Sequence, residues 1–579
     1  MRYLVLATDY DGTLALHGQV DEATIESLER LLATGRRLVM VTGRELDELQ
    51  AVFPRLDLFE LVVAENGALL YRPASKEVQL LAEPPRPEFV AELRRRGVER
   101  ISVGHSIVAT WEPHEQAVLE TIRDQGLELQ VIFNKGAVMV LPAGVNKATG
   151  LQAALEALEM SAHNVVGVGD AENDHSFLKM CELSAAVANA LPAVKETADL
   201  VTEADHGAGV SELIEQMIVD DLANYGDRLA RHDLLLGHRD GADVRLPAYG
   251  PTVLVCGPSG SGKSTTVTRL VESLIDAKFQ FCLIDPEGDY ENFDEALVLG
   301  GADQPPAQEK VLELLEMPAT SAIVNLTGMS IPDRPPFFLE LLGPLFQLQS
   351  SKGRPHWLVC DEAHHLMPAD WEPPAGLLPE DLRNVLLITV HPDLLSPELL
   401  SRVDTLLVVG GKAGGTLRNF CQAAGIDAPA GEIPELQAGE LLMWSPRGDA
   451  GPIRMRVHKC RTERRRHRRK YIEGELPPER SFYFRGPNGK LNLRAQNLKV
   501  FLQLADGVDD DTWEFHRQQG DYSEWMRTAI KDDATAEAIA TIERLEGIKP
   551  LESREQVRAA LQRDYMVDAP GPLPVPGAS

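Results

Sequence analysis

YLVLATDYDGT, residues Tyr3 to Thr13, sets a dense apolar run against two aspartates, Asp9 and Asp11, and a glycine. Such a run reads as a strand buried on both faces, the strand type of parallel sheets covered by helices. In open α/β sheets ligands bind beyond the carboxyl ends of the strands, which is where both acids stand. One carboxylate can attack phosphorus to form an aspartyl-phosphate, while its neighbour two residues on protonates the leaving oxygen and later activates water. Acidic residues also end strands and open turns, so the pair gains meaning only from its partners elsewhere in the chain.

Beyond Thr13 apolar runs alternate with helical periodicity: a helix around Ile25, Leu28, Leu31 and Leu32, then RLVMVTG, then LFELVVAENG. This is the signature of parallel strands joined by crossover helices. VTGR, Val41 to Arg44, ends its strand with the hydroxyl of Thr42, suited to a phosphate oxygen beside exposed backbone amides. From about residue 71 to 142 helices near PEFVAELRRR and HEQAVLETIRDQ interleave with strands ISVGHSIVATW, LELQVIF and AVMVLP, which reads as an α/β insert. The doubly wound pattern then resumes with ATGLQAALEALE and NVVGVGD. Lys147, in GVNKATG at a helix start, can supply positive charge to a phosphoryl group. GDAENDHSF places Asp170 and Asp174 after a strand, giving two oxygen donors for Mg2+. The plain alternatives are a solvent-exposed Lys147 and an Asp174 that only caps the helix at HSFLKM.

DYDGT, VTGR, NGA (Asn66 to Ala68), NK and GDAEND, in that order, closely resemble the type IIB phosphatases of the haloacid dehalogenase superfamily. The resemblance covers about the first 215 residues and extends to VANALPAVKETADLVT. It implies Asp9 as nucleophile, Asp11 as acid/base, Thr42 and Lys147 as phosphate ligands, and a Mg2+ site drawn from Asp9, Asp11, Asp170 and Asp174. The insert corresponds to the family's cap, which covers the site and selects a small phosphorylated metabolite.

GPSGSGKST, Gly257 to Thr265, raises a second chemistry. It satisfies GxxxxGK[ST], follows the strand TVLVC, and precedes a helix with Val267, Leu270, Val271, Leu274 and Ile275 on one face. Gly257, Gly260 and Gly262, with Ser259 and Ser261 between them, bring backbone amides to the phosphates of ATP. Lys263 reaches the β and γ groups, Ser264 ligates Mg2+, and Thr265 completes the set. A Gly/Ser linker would not be framed by a buried strand and an amphipathic helix. Asp361 and Glu362 follow the strand HWLVC, so Asp361 can hold Mg2+ through water while Glu362 polarises an attacking water. FCLIDPEGDY, LVCDEAHHLMP and NVLLITVHPDLLSPELLSRVDTLLVVG resemble the HerA/FtsK class of P-loop ATPases, from about residue 233 to 459. The resemblance implies assembly with further copies of the chain and, in many members, action on DNA. Where such motors often place glutamine or asparagine after the fourth core strand, this chain has Thr389 and His391. Arg402 and Arg418 are the arginines available as fingers.

A chain of 579 residues, 44% hydrophobic and 25% charged, holds material for several cores. Its net charge of −31 argues against a surface that coats nucleic acid broadly but leaves a local basic patch open. The cap favours a small metabolite over a polymer; the alternatives to a phosphatase fused to an ATPase are an ATP-driven translocase on nucleic acid with an end-processing phosphatase, or a paired metabolite kinase and phosphatase. The six cysteines show no CxxC pair and read as reduced thiols. MRYLVLATDYDG lacks the pattern of a signal peptide, and no apolar stretch reaches membrane-span length, so a cytoplasmic location without membrane contact is expected. The expected fold class is α/β throughout: a Rossmann-like phosphatase domain over 1–215 with its cap at about 71–142, then a P-loop NTPase domain over 230–460. A small α+β or helical domain of unassigned role is expected over 461–565, and a disordered tail over 566–579. The run RTERRRHRRK, Arg461 to Lys470, holds seven Arg or Lys in ten residues; a solvated helix face is the commoner outcome, a phosphate-backbone contact the alternative. Phe482, Tyr483, Phe484, Trp513, Phe515 and Trp525 read as the core of that last domain rather than as a stacking platform.

Overall fold

The computed structural model describes residues 1–565 except 135, 259, 291, 292, 294, 372, 373, 375–377, 379–381, 432, 434, 449, 462–470, 473–475, 477 and 531. Ser259, most of the basic run and the tail at 566–579 lie outside the described residues. The chain divides into two compact units, Met1–Cys460 and Arg461–Ser579.

The opening run forms the strand Val5–Thr8, fully buried and paired in parallel with Arg37–Val41 on one side and Val165–Gly169 on the other. The sheet continues through Leu183–Ala186 to Leu200–Val201 at one edge and through Leu61–Ala64 at the other. Two antiparallel strands, Leu69–Arg72 and Glu77–Leu80, extend that second edge. The helix Glu22–Ala33 shows the local logic: Asp21 caps it by accepting from Thr24 N at 2.7 Å, and Ile25, Leu28 and Leu31 form its buried face.

The insert has its own four-stranded sheet, Ser102–Val103, Val108–Trp111, Ala137–Pro142 and Leu129–Asn134 in spatial order, all antiparallel. Val108, Val138 and Val140 point to the helices Pro87–Arg95 and Glu115–Asp124 and form a small core with Phe89, Leu93 and Val118. Ala109, Trp111, Ala137 and Met139 alternate with them on the opposite face.

The second sheet has at its centre the parallel strands Thr405–Val409, Thr252–Cys256, Val385–Thr389, Trp357–Cys360, Phe281–Asp285, Ser321–Asn325 and Ala296–Gly300. Antiparallel Glu440–Trp444 and Ile453–Val457 widen it. The polar stretch GHRDGADVRLPAYGP belongs to a hairpin, Leu234–Arg239 and Ala242–Leu246, at the outer edge of this sheet. Its turn holds Asp240 at φ 50° and Gly241 at φ 83°, the left-handed pair a two-residue hairpin requires.

In the second unit a short hairpin, Phe482–Phe484 and Leu493–Ala495, packs with helices from Leu498 to Tyr565. Phe482, Phe484, Trp513 and Trp525 are buried together with Phe501 and Tyr522, which makes them core. Among the described residues no helix is long and apolar enough to cross a membrane.

Candidate active site

Four of the expected residues meet at the carboxyl ends of the first sheet's central strands. Asp9 follows Val5–Thr8, and Asp170 and Asp174 follow Val165–Gly169; their carboxylates all lie within 4.8 Å of one another. The Lys147 ammonium donates to Asp9 Oδ1 and to Asp174 Oδ1, both at 2.6 Å. It is 1% exposed, which excludes a solvated lysine. Asp174 does not act as a simple helix cap: its Oδ2 accepts from the amides of Asp170 and Ala171, each at 2.8 Å, and so ties the turn together. Thr13 Oγ1 donates to Asp170 Oδ1 at 3.2 Å.

The NGA and NK motifs interlock to bring Lys147 there. Asn146 and Thr149 form a reciprocal capping box that opens the helix Lys147–Ala157. A Cβ on Gly67, at φ 104°, would stand 1.9 Å from Asn146 O, so the NGA turn accepts only glycine where it meets this helix start.

Lys147 bridges two of the three clustered buried carboxylates, and the electrostatics reflect it. Burial pushes the Asp9 carboxyl up to about 8; Lys147 pulls it down, while Asp174 and Asp170 push it further up. Burial works against the Lys147 charge too, but Asp174 and Asp9 outweigh it and hold the ammonium above its ordinary range. With one ammonium on Asp9 and Asp174, the three carboxylates are short of positive charge. A hard divalent cation among oxygen donors is what such a deficit accommodates, so Asp9, Asp170 and Asp174 fit Mg2+.

Asp11 stands apart from this trio. Its carboxylate takes a bidentate clamp from Arg44, Nε to Oδ2 at 2.6 Å and Nη2 to Oδ1 at 2.7 Å. The carboxylate expected both as acid/base and as a metal ligand is thus turned toward Arg44. Thr42 is buried, and its Oγ1 accepts from Arg44 N at 3.1 Å, so the hydroxyl shapes the turn that presents Arg44.

A cavity of about 120 Å3 opens from Asp9, Asp11 and Arg44 to Ile107, Trp111 and Met139 of the insert. Arg100 stacks on Trp111 with its guanidinium carbon 3.5 Å from the ring centroid. Glu65 carries no motif signal in the sequence, yet it locks the insert's loop to the core. Fully buried, it accepts from the amides of His105 at 2.9 Å, Ser106 at 2.7 Å and Ile107 at 3.2 Å. Its left-handed φ of 51°, one residue before Asn66 and Gly67, is the local mark of the role.

At the second sheet, Gly257, Gly260 and Gly262 all have positive φ in a loop ahead of the helix Lys263–Asp276. Gly257 faces Val409, where a Cβ would meet the carbonyl oxygen at 2.2 Å. Lys263 Nζ donates to Gly257 O at 2.8 Å and Pro258 O at 3.2 Å, and Ser261 Oγ donates to Pro258 O at 2.7 Å. Ser264 and Thr265 occupy the first turn of the helix, at the positive end of its dipole, and the Thr265 amide donates to Gly262 O at 3.0 Å. Asp361 and Glu362 follow Trp357–Cys360, two strands across from the loop's own strand, and Glu362 holds a left-handed backbone at φ 40°. Thr389 Oγ1 lies 3.2 Å from His364 Nδ1 and donates to His391 O at 3.1 Å. Burial, with the neighbouring His365 and His391, brings His364 down to about 4. Arg402 pairs with Glu398 at 3.0 Å.

Residues 6–95 and 98–214 match the family model described as haloacid dehalogenase-like hydrolase, and residues 249–332 match that of the central domain of helicase HerA. A phosphoglycolate phosphatase of Methanothermobacter thermautotrophicus is 29% identical over 222 residues, which are 37% of this chain and 98% of that protein. Another, of Haloarcula marismortui, is 31% identical over 221 residues, 36% of this chain and 95% of that protein. A solved haloacid dehalogenase-like hydrolase from Bacteroides thetaiotaomicron is 22% identical, with 37% of this chain and 99% of that one covered and a TM-score of 0.33. Through its N-terminal 214 residues, the chain belongs to the haloacid dehalogenase-like hydrolases.

Proposed function

We propose that the N-terminal site is a Mg2+-dependent phosphatase for a small phosphorylated metabolite, and that residues 230–460 form an ATP-binding and ATP-hydrolysing domain on the same chain. The observation that carries the first part is the meeting of Asp9, Asp170, Asp174 and Lys147 in one buried cluster. Asp9 attacks phosphorus in line with the departing alkoxide, and the P–O bond to the substrate breaks as the Asp9–phosphorus bond forms. Asp11 swings from Arg44, takes up a proton from solvent and gives it to the leaving oxygen, then, as the carboxylate, takes a proton from the water that hydrolyses the aspartyl-phosphate. Lys147 and the Thr42 turn steady the charge on the transferring group. When bound among the carboxylates, Mg2+ neutralises the phosphate charge and that of the nucleophile. The cavity of about 120 Å3 suits a leaving group of a few heavy atoms, and phosphoglycolate, named for the relatives, heads the candidates.

In the second part Lys263 and the loop amides hold the phosphates, Ser264 and Asp361 serve Mg2+, and Glu362 orients water. The match to the central domain of helicase HerA favours a second reading, in which ATP turnover moves the protein along DNA. A panel of phosphoesters assayed for phosphate release with Mg2+, with and without ATP, tests the first reading, and failure on every small ester would refute it. ATPase assays with and without duplex DNA test the second, and turnover indifferent to DNA refutes that.

A further inference from the structure

We infer that His163, Glu182 and His232 form a binding site for a borderline divalent transition metal of the Zn2+ type, separate from the acidic cluster around Asp9. His163 Nδ1 lies 2.6 Å from Glu182 Oε2, and His232 Nε2 lies 3.6 Å from the same oxygen. All three donor atoms fall within 4.8 Å of one another. Two imidazoles and a carboxylate are a donor set for zinc and its neighbours, whereas Mg2+ selects oxygen alone.

The surroundings prepare each ligand. His163 Nε2 sits 2.8 Å from Ala277 O. A carbonyl only accepts, so Nε2 carries a proton, the outer-shell arrangement that orients ligating histidines, and a metal binds Nδ1 by displacing the proton that Nδ1 shares with Glu182 Oε2. Phe279 stacks on the His163 ring at 3.8 Å and 16°, closing that side with apolar surface. Glu182 is fully buried, and Arg2 engages its Oε1, which leaves Oε2 toward the imidazoles. His232 Nε2 is buried and makes no hydrogen bond among the described residues. The nearby Arg231 pairs with Asp199 and donates to the carbonyls of Cys181 and Glu182, so its charge is already engaged.

The place of the site gives it consequence. His163 lies in the turn before Val165–Gly169, the strand that delivers Asp170, and Glu182 immediately precedes Leu183–Ala186. His232 ends the segment that leads into Leu234–Arg239 of the second sheet. Ala277 caps the carboxyl end of Lys263–Asp276, whose other end carries the phosphate loop. A metal here pins the seam between the two sheets at a point tied to both catalytic loops.

The test uses the full chain, stripped of metal and returned to excess Mg2+ so that the carboxylate cluster is filled. Zinc is then titrated by calorimetry and its content measured after dialysis. The expected result is one equivalent of Zn2+ held per chain with a raised melting temperature, abolished in His163→Ala and in His232→Ala. No Zn2+ retained against Mg2+ by the wild type, or unchanged stoichiometry in both variants, overturns the site and leaves an imidazole and carboxylate ion pair. Co2+ loading of the wild type gives a check that needs no variant. Intense visible d–d absorption is expected of a four- or five-coordinate site with nitrogen ligands, and only the weak bands of six-coordinate oxygen ligation would contradict it.

Discussion

Lys147 Nζ stands 2.6 Å from Asp9 Oδ1, and both groups are almost wholly removed from solvent. The ammonium bridges Asp9 and Asp174, whose carboxylates cluster with that of Asp170. Lys147→Met should lower kcat by about a hundred- to a thousandfold, the usual loss when one preorganised charge aimed at a transition state is removed. It should also destabilise the fold by about 3–5 kcal/mol, because buried carboxylates lose their partner. Steady-state kinetics and urea unfolding read the two effects separately.

The raised Asp9 carboxyl makes cation binding depend on pH. It is pushed up to about 8, by burial first. An acid with a raised pKa keeps its proton below that value, so proton and Mg2+ compete there. Mg2+ affinity should therefore tighten as pH rises toward about 8 and level off above it. Calorimetry in two buffers of different ionisation heat should show proton release on Mg2+ binding at neutral pH, fading on the alkaline side.

Arg44 clamps Asp11 through two hydrogen bonds, at 2.6 and 2.7 Å. Asp11→Asn should reduce turnover by about a hundred- to ten-thousandfold, the range for a general acid/base. The loss should shrink for substrates whose leaving group needs no proton, such as an aryl phosphate with an acidic phenol. Arg44→Lys, which cannot reproduce the planar fork, should lower kcat less than Asp11→Asn does.

At the second sheet Lys263→Ala should depress ATP turnover by at least about a hundredfold, because the loop loses its charge toward the transferring phosphoryl group. Glu362→Gln should slow hydrolysis while ATP still binds, a separation readable by single-turnover kinetics with a fluorescent nucleotide. Equal turnover in wild type and Lys263→Ala would show that this loop does not serve ATP hydrolysis.

What could be read from sequence was what lies close together in it. DYDGT carries its strand end and turn, and GPSGSGKST its turn and helix start, within about a dozen residues, so pattern and chemistry arrive together. The interplay of Gly67 with Asn146 and the Glu65 grip on residues 105–107 join segments distant in the chain, and nothing local in either partner announces the other. Arg44 was visible within VTGR, yet its hold on Asp11, 33 residues away, depends on where two loops meet. The hairpin at Leu234–Arg239 and Ala242–Leu246 escaped because its outer strand is mostly exposed and therefore polar, although Asp240 and Gly241 carry the turn signal. His163, Glu182 and His232 lack the short spacing of a metal motif and meet only through folding.

The most direct measurement is phosphate release from phosphoglycolate and a panel of small phosphoesters by wild type and Asp9→Asn, with Mg2+ present and both proteins shown folded by circular dichroism. Release from at least one small ester by the wild type, and none above background from Asp9→Asn, is the predicted result. Asp9→Asn turnover close to wild type would contradict the assignment of Asp9 as nucleophile.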